Sequence, residues 1–415
     1  MINLKLNKKK FNLLLNKDLF LKICLLISSF NICLWFFKKF IFGDREPFWD
    51  MIINYCAGQA YINNINPYEY GIGINPLREC LSDFGNMNDG FVYVSTVILV
   101  KLSSLFSLFD IEVIKNFWYL ISIFSLIVII FTSKNIYKEK INYYWYSLIL
   151  FFSFGGIYLF SYLTGNISLL AATIISIGIY FYKKRKINTF CILVCLAATL
   201  RPQFFLFILL PFMQEKREYF FKIIIFSFMI ISIFLYDFFL NKELFYGFLK
   251  GLAYVRSDSW FFTFGDGIGL DAIIDQLPYA IISYFDIYVQ PGPSKYSNII
   301  WLILASTFLI GTYVFLRKEN NLKKININEE CSLALGVIII TACLPRLQMY
   351  DLILAIPATY CLGNNLMLKK EKLVSLFGFI ILIFMFAVHD LNAPIFIFFT
   401  IFLYFYLKNF KKINI

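Results

Sequence analysis

Three acidic side chains lie close together in one short polar stretch of the sequence. Asp44, Glu46 and Asp50 fall within seven residues, and rings alternate with small polar groups over residues 48–63. The spacing of that alternation predicts a helix, which should end before the Asn-Pro-Tyr sequence at 66–68, because proline disfavours helix in the residue before it. A carboxylate on this helix could serve as a general base for a hydroxyl group within hydrogen-bonding distance. The alternative is structural, since an aspartate near a helix N-terminus stabilises the helix and the other two acids fit a solvated loop.

Two arginines lie next to prolines in otherwise apolar sequence. Arg201 interrupts the run A-A-T-L-R-P-Q-F-F, and Arg346 follows Pro345 between two short apolar segments. Ionisable side chains inside a membrane are costly and are usually functional. If the chain reverses at Arg201, this side chain lies at the outer face, where a lipid phosphate is its natural partner. If one helix continues through it, Arg201 lies deeper and needs a buried acid, and the same argument applies to Arg346.

The composition indicates what kind of protein carries these side chains. Hydrophobic residues make up 60% of the 415 residues, whereas soluble proteins average about 45–50%. The excess extends over the whole length, so we predict an all-α, polytopic membrane protein with a single domain over residues 1–415. The net charge of +12 comes largely from lysines in short tails and loops. That distribution is typical of topology signals rather than of nucleic-acid binding.

About twelve apolar segments are candidates for crossing the membrane, although several are shorter than the ~20 residues that a span usually needs. They cover residues 19–42, 91–109, 116–133, 143–163, 167–182, 187–213, 219–240, 298–316, 331–344, 349–363, 373–389 and 393–407.

The lysines and arginines predict the orientation of these segments. Both terminal tails are basic and are expected in the cytoplasm. Two long loops, 43–90 and 241–297, are then extracytoplasmic, and the protein is expected in the cytoplasmic (inner) membrane. The basic turn 183–186 conflicts with this scheme, because strict alternation of twelve spans puts it outside. Splitting 187–213 at Arg201 would bring the turn inside, but it leaves two short pieces and requires another segment, such as 91–109, not to cross. Segment length favours a single helix broken at Arg201, which is our prediction.

Four patches of the sequence resemble glycosyltransferase family 87, within the GT-C superfamily, and they occur in the family's order. In the last patch, where many members have a histidine, this chain has Gln348 and Met349. The patches are Asp50-(x4)-Tyr55-x-Ala57 followed by Asn66-Pro67-Tyr68; Phe91-x-Tyr93; Gly165-Asn166 followed by Leu200-Arg201-Pro202; and Leu344-Pro345-Arg346 with Tyr350-Asp351.

The resemblance implies a GT-C-like membrane enzyme that transfers a hexose, often mannose, from a polyprenyl-phosphate donor to a lipid or glycan acceptor outside the cytoplasmic membrane. In this hypothesis Asp50 is the general base of an inverting reaction, with Asp44 and Glu46 as alternates. Arg201 and Arg346 bind the donor phosphate. Further candidate residues are Tyr55, Tyr68, Asn166, Tyr350 and Asp351.

Several of these candidates also have simpler structural interpretations. Asn166, together with the preceding glycine, is typical of a helix end. The rings of Trp49, Tyr55 and Tyr68 are expected to be interface anchors, with stacking on sugar as the alternative. Cys56 and Cys80 both lie in the first loop, where a disulfide is one of the options.

No cofactor is expected, because a monophosphate leaving group needs no chelating metal. The nearest approach to an Asp-x-Asp motif is the Asp-Arg-Glu sequence at 44–46, which keeps a divalent metal possible but not favoured. Two other functions remain as alternatives. A transporter or flippase of lipid-linked sugars would have paired broken helices in two related halves, which the sequence does not display. A polysaccharide polymerase or ligase would carry its catalytic loop late in the chain, whereas the acids cluster here in the first loop.

Overall fold

The computed structural model describes residues 17–36, 48–69, 76–84, 93–214, 217–257, 297–318, 329–345, 348–368 and 372–387. Within these ranges the fold is all-α, as predicted, and contains no strand. The α-helices are α1 Lys17–Phe36, α2 Trp49–Ile62, α3 Arg78–Ser82, α4 Val97–Phe106, α5 Ile111–Tyr137, α6 Tyr143–Phe151, α7 Ile157–Thr164, α8 Ile167–Lys183, α9 Ile187–Leu200, α10 Leu210–Met213, α11 Phe220–Leu240, α12 Lys242–Ser257, α13 Ser297–Lys318, α14 Glu329–Ala342, α15 Ala355–Met367 and α16 Lys372–Ala387, with 3₁₀ helices η1 Pro202–Leu209, η2 Arg217–Tyr219 and η3 Met349–Leu354.

Two of the described helices are long and apolar enough to cross a membrane. They are α5, with 27 residues, and α11, with 21 residues. Other apolar helices are shorter than a usual span. Helix α4, within the predicted span 91–109, has ten residues and is therefore about 15 Å long, half the ~30 Å thickness of a bilayer core. It packs along α2.

One end of the helix bundle is held together by ion pairs, and we call it the basic end. Lys138, just after α5, lies 2.6 Å from the Glu330 carboxylate at the start of α14, and Lys183 at the end of α8 lies 3.1 Å from the same oxygen. Burial raises the pKa of Glu330, but the hydrogen bonds from the two lysines outweigh it and leave the pKa below its usual value. The end of α15 also reaches this region, where Asn364 donates to Glu139 at 3.1 Å.

The prediction of a single helix broken at Arg201 is wrong, because the chain reverses there. Arg201 is extended, with φ −137° and ψ 96°, and η1 folds back along α9. Shortly after η1 and α10, Gln214 donates to Ser332 in the first turn of α14, at 3.0 Å, so the chain has returned to the basic end. The return stretch contains eight 3₁₀ and four α-helical residues and covers about 22 Å. It contacts α9, α11, α13 and α14, which cover its backbone.

This reversal changes the expected topology of the middle of the chain. Because α9 runs away from the turn 183–186 and η1 runs back, that turn lies at the opposite end of the bundle from α2. Strict alternation of twelve spans required the turn to lie on the same side as the 43–90 loop, and the reversal separates the two. The break that the charge pattern favoured is present, whereas segment length had favoured a single helix.

Helix α2 is fixed in place by close contacts with α4 and by a disulfide. A Cβ atom on Gly58 would come within 2.5 Å of the Ser103 backbone, so only glycine allows the two helices to approach this closely. Ser107 donates to the carbonyl of Tyr55 at 2.7 Å. Cys56 is bonded to Cys80 near the start of α3, which is the pairing that the sequence left open.

Candidate functional site at the start of helix α8

The junction between α7 and α8 is a tight turn that lies against the start of α2. Gly165 ends α7 in a left-handed conformation, with φ +66°. A Cβ at this position would lie 2.8 Å from Phe48 and 2.9 Å from Met51, so a side chain would be strained and would also clash. Glycine thus allows the chain to turn directly beside α2 and to begin α8 at the next residue.

Asn166 caps α8 and also contacts the acid predicted to be the base. Its side-chain oxygen accepts from the backbone N–H of Ser168 at 2.8 Å, which is a typical N-cap bond. Its amide nitrogen donates to Oδ2 of Asp50 at 2.9 Å. Gly165 ends a helix, as the structural interpretation predicted, whereas Asn166 begins the next helix and also contacts Asp50.

Asp50 lies in the first turn of α2 and remains partly exposed. The cap residue of α2 is Phe48, in a left-handed conformation and without a side-chain cap bond, and its backbone N–H donates to the Leu163 carbonyl at 2.7 Å. The Phe48 bond holds the start of α2 beside the α7–α8 junction, and the Asp50 carboxylate contacts Asn166 there. One turn later, Asn54 donates to the Asp50 carbonyl at 2.8 Å and accepts from the Tyr93 hydroxyl at 2.9 Å.

Arg201 reaches the same helix start from the tip of the α9–η1 hairpin. Its Nε donates to Ser168 Oγ at 2.7 Å, and its Nη2 donates to Gln348 Oε1 at 2.7 Å. The side chain is 19% exposed. Its Nη1 makes no hydrogen bond with any other described residue. The guanidinium is thus fixed along one edge, and its remaining N–H groups stay available to an anion.

Asp351, in η3, is the buried acid that Arg201 needs. Its Oδ1 accepts from Ser168 Oγ at 3.0 Å and lies 3.4 Å from Arg201 Nη2. Its Oδ2 accepts from Gln203 Nε2 at 3.0 Å and from the backbone N–H of Gln348 at 3.0 Å. The residue is fully buried. With both oxygens occupied, this carboxylate is suited to holding other groups rather than to taking a proton from a substrate.

We call this chain of contacts, from Asp50 through Asn166 and Ser168 to Arg201 and Asp351, the polar network. It joins α2, α8, the α9–η1 hairpin and η3 at the end of the bundle opposite the basic end. Asp50 supplies a partly exposed acid and Arg201 a partly exposed cation, both bonded to the first turn of one helix. Such an arrangement can accept a proton at one point and bind an anion at another.

The chain matches no protein family, no curated protein and no solved structure. Among the described residues, no group of three or more His, Cys, Asp or Glu side chains could hold a metal ion.

The prediction that aromatic side chains of the first loop anchor the protein at the membrane interface is wrong. Trp49, Tyr55 and Tyr68 are 8%, 7% and 1% exposed. Tyr55 donates to the Phe109 carbonyl at 2.9 Å, and Tyr68 donates to the Ser95 carbonyl at 2.7 Å. The two tyrosine hydroxyls are hydrogen-bonded inside the protein, so these tyrosines hold the loop to α4 and its flanks. The burial of all three rings also excludes stacking on a sugar.

The tyrosines of this region act as neutral hydrogen-bond donors. Burial raises the pKa of Tyr55, with a smaller upward effect of Asp110 and an opposing hydrogen bond from Gln59. Burial also raises the pKa of Tyr68, and nearby Tyr93 and Asp237 raise it further. Both phenols therefore keep their protons at neutral pH.

Tyr350, the remaining aromatic candidate, lies beside the polar network. Its ring is stacked on Phe160 of α7, with 5.5 Å between centroids and 9° between planes. Phe160 in turn meets Trp49 edge-on at 5.7 Å. These rings connect η3 to the start of α2 and thus support the two sides of the network.

Three predicted site residues lie outside the described residues, namely Asp44, Glu46 and Arg346. The polar network instead contains three side chains that the sequence analysis did not select: Ser168, Gln203 and Gln348. Gln203 follows Arg201 by two residues and Ser168 follows Asn166 by two. Their polarity within apolar segments was a usable signal, because buried polar side chains need hydrogen-bonding partners.

Proposed function

We propose that the protein is a membrane glycosyltransferase, with a GT-C-like fold and related to glycosyltransferase family 87. It transfers a hexose, with mannose as the first candidate, from a polyprenyl-phosphate donor to a lipid or glycan acceptor. The observation that carries the proposal is the polar network, because Asp50 and Arg201 are both bonded to the first turn of α8. Three of the four patches that carry the family resemblance thus meet at one place, through Asp50, Arg201 and Asp351.

The proposed reaction needs one base and one phosphate site. The acceptor hydroxyl attacks C1 of the sugar, Asp50 takes the hydroxyl proton, and the bond from C1 to the phosphate oxygen breaks. The polyprenyl phosphate leaves with the bonding electrons, and Arg201 stabilises its charge through the N–H groups that Ser168, Gln348 and Asp351 do not occupy. One displacement inverts the anomeric centre. Arg346 is proposed as a second phosphate ligand, and Asp44 and Glu46 as alternative bases.

Charge and the disulfide support the proposed side of the membrane. Lysines gather at the basic end, and basic loops are usually cytoplasmic. The polar network, at the opposite end, would then face outward. The disulfide between Cys56 and Cys80, attached to α2, is typical of an oxidising compartment. Both features support an extracytoplasmic site in the cytoplasmic membrane.

Labelling with a cysteine reagent that does not cross membranes tests the orientation. Glu69 and Lys184 are exposed and lie on the α2 side and at the basic end. We expect Glu69→Cys to react in intact cells and Lys184→Cys to react only after permeabilisation, with the unsubstituted protein as the background. The reverse pattern would contradict the proposed side of the reaction.

A transfer assay tests the function itself. Membranes containing the protein, and matched membranes with Asp50→Asn, are supplied separately with polyprenyl-phosphate mannose, glucose and arabinose carrying labelled sugars. We expect label to pass from a hexose donor into a lipid or glycan product in an Asp50-dependent manner. Transfer from none of the three donors by folded, inserted protein would refute the proposal, and transfer from the arabinose donor alone would refute the choice of hexose.

A further inference from the structure

We propose that Asn166 and Ser168 are positioning residues, through which the first turn of α8 sets the relative placement of the base and the phosphate-binding arginine. The inference rests on the proposed function and adds a role for two side chains that touch neither donor nor acceptor. Asn166 acts through Asp50, and Ser168 acts through Arg201.

The Asn166 contact fixes one oxygen of the Asp50 carboxylate. The amide nitrogen donates to Oδ2 at 2.9 Å, while the amide oxygen is bonded to the backbone of α8. Because the amide oxygen is held by the helix, the nitrogen can point in only one direction. Asp50 is thereby held in one orientation with respect to α8.

Ser168 fixes the arginine on the same turn. Its hydroxyl accepts from Arg201 Nε at 2.7 Å and donates to Asp351 Oδ1 at 3.0 Å. The residue is fully buried, so water does not compete for these bonds. A hydroxyl that accepts from the cation and donates to the anion orients both members of the pair.

Since the two side chains are two residues apart on one helix, their spacing is set by the backbone of α8. Misplacement of a catalytic group by 1 Å can cost about 10²-fold in rate. We therefore expect the two positions to affect different kinetic constants. Loss of Asn166 lowers kcat with little change in the KM for donor, whereas loss of Ser168 raises the KM for donor more than it lowers kcat.

The variant Asn166→Asp separates positioning from helix capping. Aspartate caps a helix about as well as asparagine, but it cannot donate to Asp50 and brings a second negative charge beside it. Two adjacent carboxylates disfavour ionisation of one another. We expect the acidic limb of the pH profile of kcat/KM to move upward by about one to three pH units, because the base must be ionised to act. Ionisable groups that described contacts bring to the starts of these two helices include Tyr93, through Asn54, and Arg201 with Asp351, through Ser168.

A second readout does not depend on sugar transfer. Carbodiimides react with protonated carboxyl groups, so the midpoint pH of Asp50 modification, followed by peptide mass spectrometry in detergent, reports the ionisation of Asp50. This midpoint should also rise in Asn166→Asp. If the shift occurs in a protein that transfers no sugar, the proposed function fails, while the control of Asp50 ionisation by Asn166 stands. If sugar is transferred while both pH readouts remain as in the unsubstituted protein, the positioning role of Asn166 is refuted.

Ser161→Ala is the matched control for Ser168→Ala. Ser161 is also buried, and its hydroxyl has no hydrogen-bond partner among the described residues. We expect Ser161→Ala to leave the KM for donor unchanged and Ser168→Ala to raise it about tenfold or more. Equal KM values in the two variants would show that Ser168 does not position Arg201.

Discussion

The two carboxylates of the polar network have very different surroundings. Asp351 is completely buried and accepts from two side chains and one backbone N–H in addition to its contact with Arg201. Asp50 is partly exposed at the start of a helix, and Asn166 holds one of its oxygens. The same functional group therefore serves two purposes. A saturated, buried carboxylate fixes its neighbours, whereas a partly exposed, oriented carboxylate can exchange a proton.

This difference leads to opposite expectations for stability and activity. Substitution of the buried acid should damage the protein as a whole, because Arg201 is left as a largely buried charge. Substitution of the accessible acid should spare the fold and remove the reaction. Three substitutions test the comparison, in order of their expected effect on the free energy of unfolding.

The largest effect on stability is expected for Asp351→Asn. Removing one partner of a buried ion pair costs about 3–5 kcal/mol. The new amide also has only one oxygen, so it can accept from the donors now at Oδ1 or from those now at Oδ2, but not from both. Thermal unfolding in detergent measures the loss. Glu112→Gln is the control, because that acid is 69% exposed in its pair with Lys115 and such surface pairs contribute about 0–1 kcal/mol. Equal losses in the two variants would mean that Asp351 does not organise the polar network.

An intermediate effect is expected for Arg201→Lys. Lysine keeps the charge beside Asp351 but loses the planar fork that bonds Ser168 and Gln348. We predict a stability loss of about 1–2 kcal/mol and a weaker apparent affinity for the polyprenyl-phosphate donor. Arg185→Lys, in the turn of the basic end, should change neither quantity. Unchanged donor kinetics in Arg201→Lys would make this arginine a purely structural partner of Asp351.

Local features of the sequence predicted local features of the fold well. The alternation over 48–63 predicted α2, which the structure has at Trp49–Ile62, because the period of a helix is visible within a few turns. A buried acid was expected for Arg201 only if one helix continued through it, yet Arg201 pairs with a buried acid although the chain reverses there. Its partner Asp351 is 150 residues away, and no property of either segment alone specifies that pairing.

Predictions that depended on tertiary packing failed for identifiable reasons. The rule that a span needs ~20 residues missed the reversal at Arg201, because a 3₁₀ helix rises further per residue and neighbouring helices cover its backbone. Likewise, Tyr55 and Tyr68 resembled interface anchors by type and position, yet carbonyl partners from α4 and its flanks allow them to be buried. Long-range hydrogen bonds of this kind cannot be inferred from composition.

The smallest effect on stability, together with the largest effect on turnover, is expected for Asp50→Asn. Asparagine keeps the size of the side chain and an oxygen that can accept from Asn166, so the loss of stability should be about 1 kcal/mol or less. Loss of a general base lowers the rate by about 10²–10⁴-fold. Loss of a purely stabilising acid in the first helical turn would leave turnover per folded molecule nearly intact.

The most direct test of the account is therefore the turnover of Asp50→Asn per folded molecule, measured with the active donor in detergent and normalised to the folded fraction. The account predicts a decrease of at least about 10²-fold, with a melting temperature close to that of the unsubstituted protein. Near-normal turnover would contradict it. If Asp44→Asn or Glu46→Gln then abolished the reaction, the base would be one of those acids, and the carboxylate bonded to Asn166 would have a structural role.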